Sequence, residues 1–139
     1  IGLADSRALE IPLAAYQACH FLGMPECNIH LAHAVIYLSL APRSNAVYRA
    51  YESAKRGPHS VIHEPVPLVI RNAPTGLMKD LGYGDGYVYA HDVENKVADM
   101  ECLPESLRGR RYYYPTESGS ESRMARRLEE IRTILGRKP

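Results

Sequence analysis

The stretch CNIHLAHAVIYLSLA, residues 27–41, is apolar almost all round and stops at Pro42. Pro25 and Glu26 immediately precede it and have the character of a helix start. A helix that is hydrophobic on every side is buried in the interior of a protein. The sequence therefore predicts a helix here, and we expect it to be the most buried element of the fold.

Residues 6–22 form a second periodic segment, and Gly23 follows as a stop signal. The spacing predicts one amphipathic helix. Pro12 would remove a hydrogen bond inside this helix, so the first turn is either separate or kinked. The apolar and aromatic face is spaced at i, i+4, i+7 and i+11, namely Leu9, Leu13, Tyr16 and His20.

A third helix is predicted after Ser44, a suitable N-cap, and ends at Gly57 and Pro58. Its face consists of Val47, Tyr48, Tyr51 and Ala54. Three helices joined by connections of only a few residues predict an antiparallel helical array. The fold class is therefore all-α, with a three-helix region at 1–56.

Residues 57–139 are expected to pack on the first region as part of one domain. Prolines break this segment, and glycines alternate with tyrosines in GYGDGYVYA, residues 82–90, which is either a hairpin or an ordered loop. Short helical pieces are predicted at 75–81 and 103–109. A final helix from about Glu121 to Leu135 follows Ser118 or Ser120 as cap, with one face of Met124, Leu128, Ile131 and Leu135.

The chain has 139 residues and a mass of 15.6 kDa, enough for one core. It contains no apolar run of the ~20 residues that span a bilayer and no secretion signal at its start. Three cysteines at irregular spacing suit reduced thiols. We expect a cytoplasmic protein, nucleoid-associated if bacterial, and because the chain starts at Ile1 we expect a domain of a longer protein.

Motifs for catalysis are absent from the sequence. There is no phosphate-binding loop and no nucleophile elbow. Cys27, His30 and His33 have a metal-like spacing, but on a helix i and i+6 diverge, so a first-shell site would need one of them off the helix and a fourth ligand. We expect no catalytic residue, no metal and no cofactor in this chain.

The candidate binding residues of this sequence are tyrosines and arginines. The sequence contains ten Tyr against one Phe and no Trp. A tyrosine side chain combines an apolar ring with a polar hydroxyl, which is typical of residues at interfaces. Residues 1–103 hold 8 basic and 11 acidic side chains, whereas residues 104–139 hold 9 and 5. Beside Tyr112, Tyr113 and Tyr114, the basic end offers candidate nucleic-acid contacts at Arg108, Arg110, Arg111, Arg126 and Arg127. Alternatively, these tyrosines pack the tail while the arginines face solvent.

Six motifs in sequence order resemble one family. They are GLAD at 2–5, GMPE at 23–26, the run from Leu31 to Tyr48, PVPLVIRNAPTGLMKDLGYGDGY at 65–87, HD at 91–92, and LPESLRGRRYYYPT at 103–116. Together they resemble the C-terminal domain of the AAA+ ATPases called replication-associated recombination protein A or maintenance-of-genome-stability protein A. The eukaryotic counterpart of this family is the Werner-helicase-interacting protein.

The resemblance implies a clamp-loader collar-like, all-α domain that assembles its parent into a homotetramer in replication-fork maintenance and recombination. It also implies ATP and Mg²⁺ in an ATPase part upstream, and DNA and single-strand-binding protein as partners of the parent, with no membrane. The interface candidates are Tyr16, Tyr48 and Tyr51. The alternative is a DNA- or fork-protein-binding module that uses the basic C-terminal quarter.

Overall fold

The computed structural model describes residues 1–57 and 64–137. Across these residues the regular structure is helical, and no β-strand occurs. The α-helices are α1 (Arg7–Leu22), α2 (Asn28–Leu40), α3 (Ala46–Lys55), α4 (Gly76–Asp80) and α5 (Glu121–Ile134). Short 3₁₀ turns lie at Gly2–Ala4, Leu68–Ile70, Ala90–Asp92 and Glu105–Leu107. The all-α prediction is confirmed.

The described residues form two compact units. Unit 1 consists of residues 1–52 and 112–127, and so holds α1, α2, the first part of α3 and the first half of α5. Unit 2 consists of residues 53–57, 64–111 and 128–137. Each unit is described separately below.

The predicted helices agree closely with the observed ones. Pro12 lies inside α1, which is a single helix, and Gly23 ends it with a φ of 73°. The Ser44 hydroxyl oxygen accepts a hydrogen bond from the Ala46 N–H at the start of α3 (3.2 Å). Pro58, predicted as part of the stop after α3, lies outside the described residues.

Burial differs from the prediction. Helix α2 packs on α1, yet each of the two helices fully buries one residue, Ala34 and Ala15 respectively. The expectation that α2 is the most buried element is wrong, because most of its large apolar side chains are exposed. The apolar and aromatic face predicted for α1 is exposed as well, at Leu9, Leu13 and Tyr16. Small buried residues let two helices approach closely while larger side chains point elsewhere.

Glu121, the first residue of α5, is the fully buried charged side chain of unit 1, with 0% exposure. Its carboxylate accepts hydrogen bonds from the Tyr113 phenol (2.7 Å) and the Thr116 hydroxyl (2.5 Å). The Ser44 hydroxyl also bonds to it. Burial raises the pKa of Glu121, but these three hydrogen bonds and one from the Thr116 backbone outweigh burial and hold that pKa below its usual value. The ionised carboxylate thus joins the start of α3 to the start of α5.

A close approach of main chains lies beside this carboxylate. The Ser120 N–H donates to the Ala4 carbonyl (2.8 Å), and the Ser120 hydroxyl donates to the Leu3 carbonyl (2.8 Å). Gly119 has a φ of 55°, and a Cβ at this position would overlap the Ala4 carbonyl oxygen. Only glycine fits this position without a shift of the backbone. The N-terminal residues are therefore fixed against the start of α5.

In unit 2 the glycine- and tyrosine-rich stretch is an ordered loop rather than a hairpin. Gly82, Gly84 and Gly86 all have positive φ angles, and residues 81–86 form consecutive turns. The Gly84 N–H donates to the Leu68 carbonyl (2.8 Å). The Arg71 guanidinium lies over the Tyr83 ring, with its carbon 5.0 Å from the ring centroid. These contacts hold the loop against residues 66–71.

Replacing Glu121 by Ala should lower the free energy of unfolding by roughly 2–4 kcal/mol, because it leaves a cavity and three buried donors without their acceptor. Urea denaturation followed by circular dichroism measures this. The matched control is Glu129→Ala on the same helix, where an exposed carboxylate pairs with Arg132 at 3.3 Å, and the change should stay within about 1 kcal/mol. Equal losses in both variants would contradict the role given to Glu121.

The pH dependence of stability should reveal the Tyr113–Glu121 contact. Burial, then the hydrogen bond and the negative charge of Glu121, raise the pKa of Tyr113 to about 12. An unfolded tyrosine titrates near 10. The stabilisation from this contact is therefore complete below pH ~10 and is lost as pH rises towards 12. Tyr113→Phe should be less stable than the parent chain at pH 7, and that difference should shrink between pH 10 and 12. A constant difference would contradict the contact.

Candidate functional site

Unit 1 carries a broad apolar surface on α1 and α2. Leu9, Ile29 and Leu40 are 81%, 77% and 80% exposed. Ile29, Ile36 and Leu40 follow helical spacing on one face of α2. We call the following set the apolar surface: Leu9, Leu13, Tyr16, Phe21, Ile29, Val35, Ile36 and Leu40. Soluble monomers rarely expose so many large apolar side chains, and surfaces rich in them mark interaction sites.

The apolar surface is almost free of charge. Between Ile11 and Pro42, Glu26 is the one Asp, Glu, Lys or Arg in the sequence. Helix α2 itself contains no such residue. A surface without fixed charges offers nothing that would repel an identical surface placed against it.

The three tyrosines named as interface candidates are all at the surface of the described chain. Tyr16, Tyr48 and Tyr51 are 70%, 67% and 63% exposed. Tyr16 belongs to the apolar surface on α1, and the other two lie on α3 beside the half-exposed Val47. Their role in assembly stays a prediction.

The candidate nucleic-acid arginines are divided between the two units. Arg108, Arg110 and Arg111 belong to unit 2, whereas Arg126 and Arg127 lie on the part of α5 in unit 1. All five side chains are exposed. The sequence placed these residues in one group because they are close along the chain, and their contact with nucleic acid stays a prediction.

Cys27, His30 and His33 do not converge on one point. Cys27 is fully buried and its thiol lies 3.3 Å from the Met24 sulfur. A hydrogen bond to Cys27, with burial, raises the pKa of the Cys19 thiol. His30 and His33 instead line a cavity of about 130 Å³ beside Ile11. Across residues 1–57 and 64–137, no three His, Cys, Asp or Glu side chains are grouped as metal ligands would be.

The helices of the described chain are also informative about membranes. None of them combines the length and the apolar character required to cross a bilayer.

Comparison with known proteins agrees with the motifs. The family model for the MgsA AAA+ ATPase C terminal matches residues 1–132. Replication-associated recombination protein A of Coxiella burnetii is 47% identical over 96% of this chain, and that of Escherichia coli K12 is 40% identical over 92%. The ATPase WRNIP1 of Dictyostelium discoideum is 41% identical over 81% of the chain. The chain covers 31%, 29% and 13% of these relatives, respectively.

The all-helical fold and these matches define a C-terminal domain of a AAA+ ATPase. The chain belongs to the MgsA AAA+ ATPase C-terminal family, whose members include replication-associated recombination proteins A.

Sequence reasoning missed most of the apolar surface. The signal was present, because the helix at 27–41 is apolar on more sides than one neighbouring helix covers. Reading that pattern as burial within one chain led to the wrong expectation. Leu9 and Leu13 were identified as one face, but their exposure depends on which side of α1 meets α2.

Proposed function

We propose that this chain is the domain through which its parent AAA+ ATPase assembles into a homotetramer. The observation that carries the proposal is the apolar surface of α1 and α2, which the described chain leaves exposed. An assembly of this kind buries well over ~2,000 Å² in total. Burying large apolar side chains at about 25 cal/mol per Å² is the dominant favourable term in such association.

The near absence of charge favours a second copy as the occupant. In an isologous contact the same patch meets itself about a two-fold axis, so fixed charges near that axis would face like charges. Glu26 is the one formal charge between Ile11 and Pro42. A tetramer with two-fold axes needs a second contact, and the exposed Tyr48 and Tyr51 on α3 supply a candidate for it.

Within the parent protein, this domain would gather four ATPase modules that act in replication-fork maintenance and recombination. ATP and Mg²⁺ would bind in the ATPase part of the parent, outside this chain. DNA and single-strand-binding protein would be partners of the assembled parent. The names of the bacterial relatives, replication-associated recombination protein A, support this assignment.

Replacing Leu40 by Asp should dissociate the assembly, because a buried carboxylate without a partner costs several kcal/mol at each interface. Light scattering coupled to size-exclusion chromatography should give a mass near four times 15.6 kDa for the unsubstituted 139-residue chain and a smaller mass for the variant. Far-UV circular dichroism should be unchanged, because the Leu40 side chain is already exposed in the single chain.

The matched control is Leu77→Asp, which changes an equally apolar side chain that is 70% exposed on α4 of unit 2. The mass of this variant should equal that of the unsubstituted chain. If the unsubstituted 139-residue chain is monomeric at high micromolar concentration, assembly by this domain is refuted. A Leu40→Asp variant that keeps the full mass would remove α2 from the interface.

A further inference from the structure

Unit 1 contains a cleft of about 450 Å³ where three arginines meet. Arg7 begins α1, and Arg123 and Arg127 lie one turn apart on α5. The bonds from Ser120 to the Leu3 and Ala4 carbonyls bring these two helix starts together. The cleft is therefore built by the backbone contact between residues 3–4 and 120, and not by the sequence proximity of its arginines.

The lining of the cleft carries three arginines and one carboxylate. The one carboxylate in its lining belongs to Asp5. Its Oδ1 accepts a hydrogen bond from the backbone N–H of Arg7 (3.0 Å), and its Oδ2 accepts one from the Tyr37 hydroxyl (2.6 Å). Each oxygen of Asp5 thus accepts one hydrogen bond from a neutral donor. In the described chain, no carboxylate forms an ion pair with the guanidinium of Arg7 or Arg123. A concave site with excess positive charge attracts an anion.

The side chains around the cleft indicate the class of anion. The planar guanidinium group matches two oxygens of a phosphate, and Ser6 belongs to the same lining. No aromatic ring is among the lining residues, all of which the structure describes, so the cleft offers no platform for base stacking. Arg123 and Arg127 are about 5–6 Å apart at their Cβ atoms. Arginines repeated along a helix suit an anion with repeated charges better than one small ion.

We propose that this cleft binds the phosphate backbone of a nucleic-acid strand, independently of base sequence, through Arg7, Arg123 and Arg127. Of these three, Arg7 and Arg123 lie outside the basic group that the sequence indicated. The proposal does not depend on assembly through the apolar surface, because all lining residues belong to one chain. The Leu40→Asp variant should therefore still bind nucleic acid.

The test is a fluorescence anisotropy titration of the 139-residue chain with a labelled oligothymidylate at salt concentrations between about 50 and 200 mM. Affinity should fall linearly in a plot of its logarithm against the logarithm of salt concentration. Arg123→Gln should weaken binding threefold to tenfold at the lowest salt and reduce the slope by about 0.7. Arg49→Gln removes the same charge from an exposed position on α3 of unit 1, outside the cleft. The affinity of this control variant should stay within twofold of that of the unsubstituted chain.

Four outcomes would overturn the proposal. The first is no binding at the lowest salt. The second is an equal loss of affinity in the Arg123→Gln and Arg49→Gln variants, which indicates diffuse surface charge. The third is displacement of the oligonucleotide by polyglutamate as effectively as by unlabelled oligothymidylate, which indicates an acidic protein partner. The fourth is an Arg123→Gln variant that has a smaller mass in light scattering but an unchanged affinity for the oligonucleotide. That result would place Arg123 between subunits.

Discussion

The buried carboxylate of Glu121 is the contact on which unit 1 depends. It accepts hydrogen bonds from the nearby Tyr113 and Thr116 and from Ser44, which is distant in the sequence. A buried charge is tolerated only when it is fully hydrogen-bonded, so the three donors must be in place together. This requirement fixes where α5 begins and thereby places Ser120 against the N-terminal residues. The arginine-lined cleft is a consequence of that placement.

The packing of unit 1 explains its exposed surface. The buried residues of α1, α2 and α3 are Ala15, Ala34 and Ala46, which are small. Such a core contributes little apolar burial, and the larger side chains of α1 and α2 remain outside it. If another surface covered these side chains, as proposed above, the domain would gain further hydrophobic stabilisation. Assembly and stability are then linked, since association favours the folded chain by mass action.

The apolar surface and the cleft differ in the physics of recognition. The apolar surface has almost no charge, and its association would respond weakly to salt. The cleft combines three arginines with one aspartate, so its binding of an anion would weaken with salt. Both features lie in unit 1, and they can be separated experimentally because Leu40 and Arg123 belong to different surfaces. In a AAA+ ATPase parent, one chain would thus contribute both to subunit assembly and to contact with nucleic acid.

The sequence by itself determined the helices, because periodicity, Ser44, Gly23 and Thr75 act locally on the backbone that carries them. It also determined the family, through motifs spread over nearly the whole chain. Tertiary structure decided which helix faces are buried, since the apolar character of α2 does not say which side meets α1. It also decided the cleft, because Arg7 and Arg123 are separated by more than a hundred residues of sequence. Only the hydrogen bonds from Ser120 to the N-terminal carbonyls, which no local pattern encodes, bring them together.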